Sequence, residues 1–245
     1  MPGIDRGNGD PGTVVTLVVA ATSRREQAKN DRRRRIIDAT CSLLREFGLD
    51  AVSGKLIAAR AGVSLSTVYN LFGSKDAVLV AVYDEDLARF EAMIGALPST
   101  DALARLFDAV DVAAALYEQD PAFYRAILWR RPPGELLDAA LRRPRARFWE
   151  TLVQQAVDDG QLHDGTDAGA VSVLLIHLFS GVLMDWVAGD IPLDRFRREA
   201  SLGFTAILLA FVDGAARPAL HDRMMRLHDD VRMHRADDTI SARFA

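Results

Sequence analysis

The chain has 245 residues, of which 49% are hydrophobic and 26% charged, so it has the apolar content for a sizeable core and is not a disordered polymer. A single cysteine, Cys41, excludes an intrachain disulfide, and with no secretory leader read at its start the chain is expected to be cytoplasmic. The formal net charge of −4 is unevenly spread: between Arg24 and Lys75 stand 11 Lys/Arg against 5 Asp/Glu, which leaves the rest of the chain acidic. That polarity suits a protein that meets a polyphosphate with one end only.

Residues 1–30 read as a disordered or flexible lead that ends in a basic arm. Its apolar run, Val14 to Ala21, is too short to span a bilayer and lacks the basic flank of a signal peptide; a strand there would have no partner. Arg24, Arg25, Lys29 and Arg32 to Arg35 follow. Such a run is either a solvated face or an arm that lies along phosphates or reaches a minor groove. The first helix is predicted from Arg32 to Phe47, with Ile36, Ile37, Thr40, Leu43, Leu44 and Phe47 as its buried stripe and Cys41 as a small core residue. Gly48 ends it.

The stretch Ala58 to Lys75, AARAGVSLSTVYNLFGSK, carries the most information. Ser53 caps a second helix that turns Leu56, Ile57 and Ala61 inward, and Gly62 follows it where a positive φ costs glycine little. Ser64 caps a third helix. On one of its faces lie Val68, Leu71 and Phe72, and on the other Ser66, Tyr69 and Asn70. Helix, glycine turn, helix is the outline of a DNA-binding helix-turn-helix and also of a plain helical hairpin. Lys55 and Lys75 each sit in the first turn of a helix, against the dipole by about 0.3–1 kcal/mol, which suits a phosphate contact or an ordinary surface lysine.

The segments RIIDATCSLLREFGLDAVS and KLIAARAGVSLSTVYNLFGSKDAVLVAVYDE resemble the N-terminal domain of the TetR family of transcriptional regulators over about Arg32 to Asp86. The resemblance rests on IAxRAGVS, the pair Thr67 and Tyr69, Phe72, and the step Ser74-Lys75. It implies that Ser53, Lys55, Ser64, Leu65, Ser66, Thr67, Tyr69, Asn70 and Lys75 face DNA. Gly54, Leu65 and Asn70 depart from the family's usual residues at their positions. Leu65 can offer a methyl contact to thymine, and Asn70 can pair with adenine N6 and N7.

Beyond Asp76 the chain reads as further helices punctuated by Pro and Gly, with breaks at Pro98, at Pro132-Pro133, at Pro144 and at Gly160. Asp167 to Val187 and Leu193 to Val212 are its most apolar stretches, and the resemblance implies that these two helices pair with their copies in a homodimer. The expected interface residues are Leu174, Leu178, Val182, Phe204, Leu208 and Phe211. His177 and Asp185 argue against a membrane span in the first of them. Phe107, Tyr117, Phe123, Tyr124, Trp129, Phe148 and Trp149, with His177 and Asp185 as polar anchors, are the candidate effector residues; aromatics at helical spacing equally fill a core.

His221, His228 and His234 do not share one helical face, so no metal site is expected, and no nucleophile stands with a base, so neither an enzyme nor a cofactor is expected. The expected fold is all-α: a helix-turn-helix domain over 31–86, a helical regulatory and dimerisation domain over 87–214, and a polar tail over 215–245. The expected function is sequence-specific transcriptional regulation at an inverted-repeat operator in double-stranded DNA. An apolar or amphipathic small molecule would release the protein. The alternative is a DNA-bound structural or partner-docking protein with no effector.

Overall fold

The computed structural model describes the backbone of residues 11–98, 101–128, 135–212, 214 and 216–241, and the side chains of 24–98, 101–128, 144–212, 214 and 216–233. The described residues are helical without a strand. In order they form α1 (Pro11–Phe47), α2 (Gly54–Ala61), α3 (Leu65–Phe72), α4 (Lys75–Gly95), α5 (Ala102–Gln119), α6 (Pro121–Leu128), α7 (Glu135–Asp158), α8 (Ala168–Ala188), α9 (Leu193–Leu209) and α10 (Ala216–Ser241).

The head is built by α1 to α3 and the start of α4. Ile36, Ile37, Leu43 and Leu44 of α1 are buried against Ile57 and Ala61 of α2, Val68 of α3, and Val78 and Val82 of α4. Thr40 joins this core because its hydroxyl donates to the Ile36 carbonyl at 2.8 Å, which satisfies the one polar group that burial would otherwise orphan. Two expectations change here. Phe47, placed in the buried stripe, is 49% exposed, because it ends α1 beyond the reach of α2. The helix expected from Arg32 begins at Pro11, so the basic run lies on continuous helix.

In the body α5 is the central rod. Its apolar residues lie all round it, from Leu103 and Leu106 to Leu116 and Tyr117, and it packs against α4, α6, α7 and α9. Ala109 and Ala113 give it the narrow waist such crowding needs. Asp101 starts it by accepting from the amides of Leu103 and Ala104. α7 runs through Pro144, where a break was expected.

The two apolar helices α8 and α9 pack together and cover α5 and α7. Gly203 lets them approach so closely that a Cβ there would fall 2.2 Å from Cδ2 of Leu178. On α9, Phe196, Ala200, Phe204 and Leu208 recur every fourth residue, and all are fully buried in this chain's own core. Phe204 and Leu208 therefore correct the expected interface: they face inward, toward Trp149 and Phe179 in the case of Phe204. Leu178, Val182 and Phe211 are half-buried, and of the expected six only Leu174 is openly exposed, at 48%.

α8 has a mean hydropathy of 1.9 over its most apolar window, yet only 33% of that window is buried. Its open face carries Ala170, Val173, Leu174, His177, Gly181, Met184, Asp185 and Ala188. Val173 and Met184 are 46% and 39% exposed. Beside it, the small residues Ala206 of α9 and Ala210, which caps its C-terminus, are exposed. Exposed apolar residues recurring along one helix face in this way mark a surface suited to being covered.

Candidate nucleic-acid interface and effector cavity

The turn that presents α3 is fixed by its own chemistry. Gly62 adopts φ 64°, a left-handed conformation that closes α2 with its amide on the carbonyls of Ala58 and Ala59. Ser64 then caps α3: its Oγ accepts from the Thr67 amide at 3.1 Å and lies 2.8 Å from both Ser66 Oγ and Thr67 Oγ1. Three hydroxyls thus cluster at the helix N-terminus, where the positive end of the dipole points outward. Val68 is fully buried and holds the opposite face to the core.

Ser53, Lys55, Ser64, Ser66, Tyr69 and Asn70 are exposed, while Leu65, Thr67 and Lys75 are half-buried. These residues come from the start of α2 and its cap, from α3 and its cap, and from the start of α4. Lys75 has a second task, because its ammonium donates to the Val52 carbonyl at 3.3 Å and so ties α4 to the loop that enters α2. Its charge is held beside the N-terminus of α2, where Ser53 caps the Leu56 amide and Lys55 follows. Two cations and a helix N-terminus there favour an anion.

Gly54 explains an odd feature of the sequence. A Cβ on it would stand 2.9 Å from the Tyr69 hydroxyl and 3.3 Å from Leu65 Cδ1, so the missing side chain is the space in which Tyr69 and Leu65 lie. Tyr69 remains 44% exposed at this position, lying across the start of α2. Leu65 is partly turned toward α2, not wholly outward as a thymine contact would require. Gly54→Val is expected to swing Tyr69 off its seat and to weaken DNA binding several-fold, with thermal stability changed by less than about 1 kcal/mol, since the clash falls on side-chain ends and a glycine is removed from a helix. Paired melting curves and mobility shifts on one operator check it; a variant with unchanged affinity would show that the Tyr69 position is immaterial.

Arg33 is a contributor that sequence reading passed over. Its Nη1 donates to the Leu71 carbonyl at 2.7 Å, and its guanidinium lies 4.2 Å from the centre of the Phe72 ring. It pins α1 to the last turn of α3. Within the block Arg32 to Arg35 it alone is half-buried, and its position one turn before the Ile36-Ile37 stripe is the signal that distinguishes it.

In the body, Tyr117, Tyr124, Phe148 and Trp149 line an inner cavity of about 90 Å³, together with Phe90 of α4 and Ile176, Phe179 and Leu183 of α8. Its charged groups are Asp86 and Arg145, neither of which was anticipated, and Ser180 adds a hydroxyl. Tyr124 donates to Asp86 Oδ1 at 2.6 Å, and Arg145 lies 4.8 Å over the Tyr83 ring. Burial pushes the Asp86 carboxyl up from its ordinary range, opposed by the Tyr124 hydrogen bond and by Arg145 and Arg89. Tyr117 and Tyr124 are likewise pushed up by burial and stay neutral hydroxyls.

Phe148 also borders a larger open cleft of about 820 Å³, edged by Arg105, Arg147, Glu91 and Gln155. The remaining candidates lie elsewhere. Phe107 packs under Arg223 of α10 at 3.9 Å, Phe123 lies at the α1–α6 contact near Arg45, and Trp129 falls outside the described residues. His177 and Asp185, expected as anchors, stand on the open face of α8 because their spacing follows its outward side, so neither lines the cavity. Among the described residues no group of His, Cys, Asp and Glu is placed to hold a metal. The Cys41 thiol is pushed up to about 11 by burial and is inert at neutral pH.

Residues 36–82 match the sequence profile of the bacterial regulatory proteins of the tetR family. That stretch is a TetR-type DNA-binding domain. It is 28% identical over 206 residues to the HTH-type transcriptional repressor KstR of Rhodococcus jostii, an alignment that takes in 84% of this chain and 95% of the relative. A TetR transcription regulator from Haloarcula marismortui superposes with a TM-score of 0.61 at 26% identity, covering 75% of this chain and all of that one. Thermus thermophilus FadR, a TetR-family repressor solved in complex with lauroyl-CoA, gives a TM-score of 0.61 at 20% identity over 75% of this chain and 97% of its own. These matches support a DNA-binding transcriptional regulator.

Proposed function

We propose that the protein is a homodimeric repressor whose α3 faces read the two halves of an inverted repeat, and that an apolar or amphipathic small molecule in the body releases it. The observation that carries the effector half is the wiring between cavity and head. Tyr124 of α6 bonds Asp86 of α4 in the cavity wall, while Tyr83 of α4 donates to the Ile127 carbonyl of α6 at 2.9 Å. At the other end of α6, Asp120 pairs with Arg45 of α1 at 2.6 Å. A ligand that competes for Asp86 or Tyr124 therefore shifts the helix on which α1 and α4 of the head both rest.

The cavity alone holds only a few heavy atoms, below the roughly 300–1,000 Å³ of ordinary ligand sites. A turn of Phe148, which borders both spaces, would join it to the open cleft. An apolar tail inside and a polar head among Arg105 and Arg147 is the ligand shape that this pair of spaces fits, and FadR shows that the fold accommodates an acyl-CoA. The DNA half of the reading assigns base contacts to Ser66, Thr67, Tyr69 and Asn70 and phosphate contacts to Ser53, Lys55, Ser64 and Lys75.

Linkage supplies the test. If effector weakens operator binding by some factor, operator must weaken effector binding by the same factor, typically 5–150-fold. Titrating fatty acids and acyl-CoAs of graded chain length against the dimer, with and without operator, is expected to show this reciprocity. Ile176→Phe, which fills the cavity, should keep operator affinity and lose the response. Equal affinity for every compound in both titrations would leave the body as a docking surface without an effector.

A further inference from the structure

We propose that the N-terminal turns of α1 form a second DNA contact, in which Arg25, Lys29 and Arg32 bind the phosphate backbone flanking each half-site. The proposal rests on the TetR-type placement of α3 in the major groove.

The residues are brought together by helix geometry. Positions 25, 29 and 32 fall at i, i+4 and i+7 and so share one face of α1. That face adjoins Arg33, whose bonds to the Leu71 carbonyl and the Phe72 ring fix this level of α1 against the end of α3. From Arg33 back toward Pro11 the chain continues as unbroken helix past this contact. At 1.5 Å per residue, Arg25 stands about 12 Å beyond Arg33, a distance of three to four base pairs at 3.4 Å each.

Charge and burial agree on the partner. Arg24 to Arg35 contains seven Arg/Lys and two acids, Glu26 and Asp31. Arg25, Lys29 and Arg32 are exposed, so the rest of the chain does not cover them. Lys29 makes an exposed i,i+3 pair with Glu26 at 3.3 Å, which water already screens and which phosphate can displace. Helix interiors gain little from like charges so close together, so the stripe costs local stability for which the fold offers no return. An exposed helical face beside the Arg33–α3 contact, with a net excess of cations, matches a duplex backbone.

The experiment uses an operator selected from random duplexes by the wild-type protein, in a short form ending at the half-sites and a long form with about ten extra base pairs on each side. Wild type is expected to bind the long form more tightly, with a steeper dependence of log Kd on log salt. One phosphate per arm changes that slope by about 2 for the dimer, and three per arm by about 5. The variant Arg25→Gln/Lys29→Gln/Arg32→Gln should lose the difference between the two duplexes while keeping the helical content and the short-form affinity of wild type. Arg25→Lys/Arg32→Lys, which keeps the charge, should retain it.

Identical wild-type affinity and slope on the two duplexes would overturn the proposal, as would a Gln variant with an unchanged difference. Loss of short-form binding by a folded Gln variant would also overturn it, by placing these residues inside the core site. Failure of wild type to select any inverted repeat would instead remove the helix-turn-helix reading itself.

Discussion

Leu174→Glu combined with Ala206→Glu is expected to yield folded monomers that no longer retain an inverted-repeat operator, whereas Leu208→Asp is expected to unfold the body. The two outcomes follow from which side of α8 and α9 each residue occupies. Leu174 is 48% exposed and Ala206 is exposed, so carboxylates there meet water in the isolated chain and cost its fold almost nothing. In a dimer that covers this face the same carboxylates would be desolvated beside their symmetry copies, and like charges brought together cost several kcal/mol. Leu208 is fully buried in the stripe with Phe196, Ala200 and Phe204. An unpaired carboxylate at that position, together with the lost packing, costs more than about 4 kcal/mol against a total stability of about 5–15 kcal/mol for a domain. Sedimentation velocity separates the cases: a monomer with a wild-type melting curve for the first variant, aggregates or no cooperative melt for the second. A dimeric, operator-binding form of the Glu variant would place the interface elsewhere.

The same contrast shows where sequence reading stops. The caps Ser53 and Ser64 and the turn at Gly62 were legible because each is a local bargain between a side-chain oxygen or a left-handed glycine and the amides and carbonyls within four residues of it. Periodicity likewise gave the inward face of α3. It could not say what covers an apolar face, so Phe204 and Leu208 looked as suitable for a partner's helix as for the chain's own core. What distinguishes the open faces is their small residues, Gly181 and Ala188 on α8, Ala206 on α9 and Ala210 at its C-cap, which no hydrophobicity count rewards. The anchors of the cavity were invisible for a different reason. Asp86 matters because Tyr124, 38 residues away, donates to it, and a pairing at that separation leaves no trace in local spacing. Gly54 belongs with these: its meaning lies in the Tyr69 ring above it, and one turn of sequence shows only an unfavourable helix start.

Asn70→Ala is expected to cost about 1–3 kcal/mol at one base-pair position in each half-site and to leave affinity for operators already altered there unchanged. Asn70 is exposed on α3, one residue after Tyr69 and opposite the buried Val68, so its amide is free to approach a base edge without disturbing the core. A bidentate amide pairs adenine N6 and N7, which makes A·T the preferred pair and makes the loss specific to it. Lys75→Ala should behave differently, weakening all sequences alike and flattening the salt slope by about one unit per half-site if each ammonium holds one phosphate. Because Lys75 also holds the Val52 carbonyl at 3.3 Å, Lys75→Ala should additionally lower the melting temperature by a few degrees, whereas Asn70→Ala should not. The two halves of the palindrome must lie about 34–36 Å apart, one turn of duplex, or at a multiple of it, for both α3 helices of a dimer to reach the major groove. Competition between duplexes carrying every base pair at each position, at two salt concentrations, reads all of these effects together. A protein that binds its inverted repeat no better than random duplex, or an Asn70→Ala variant weakened equally on every sequence, would remove the base-reading role from this face of α3.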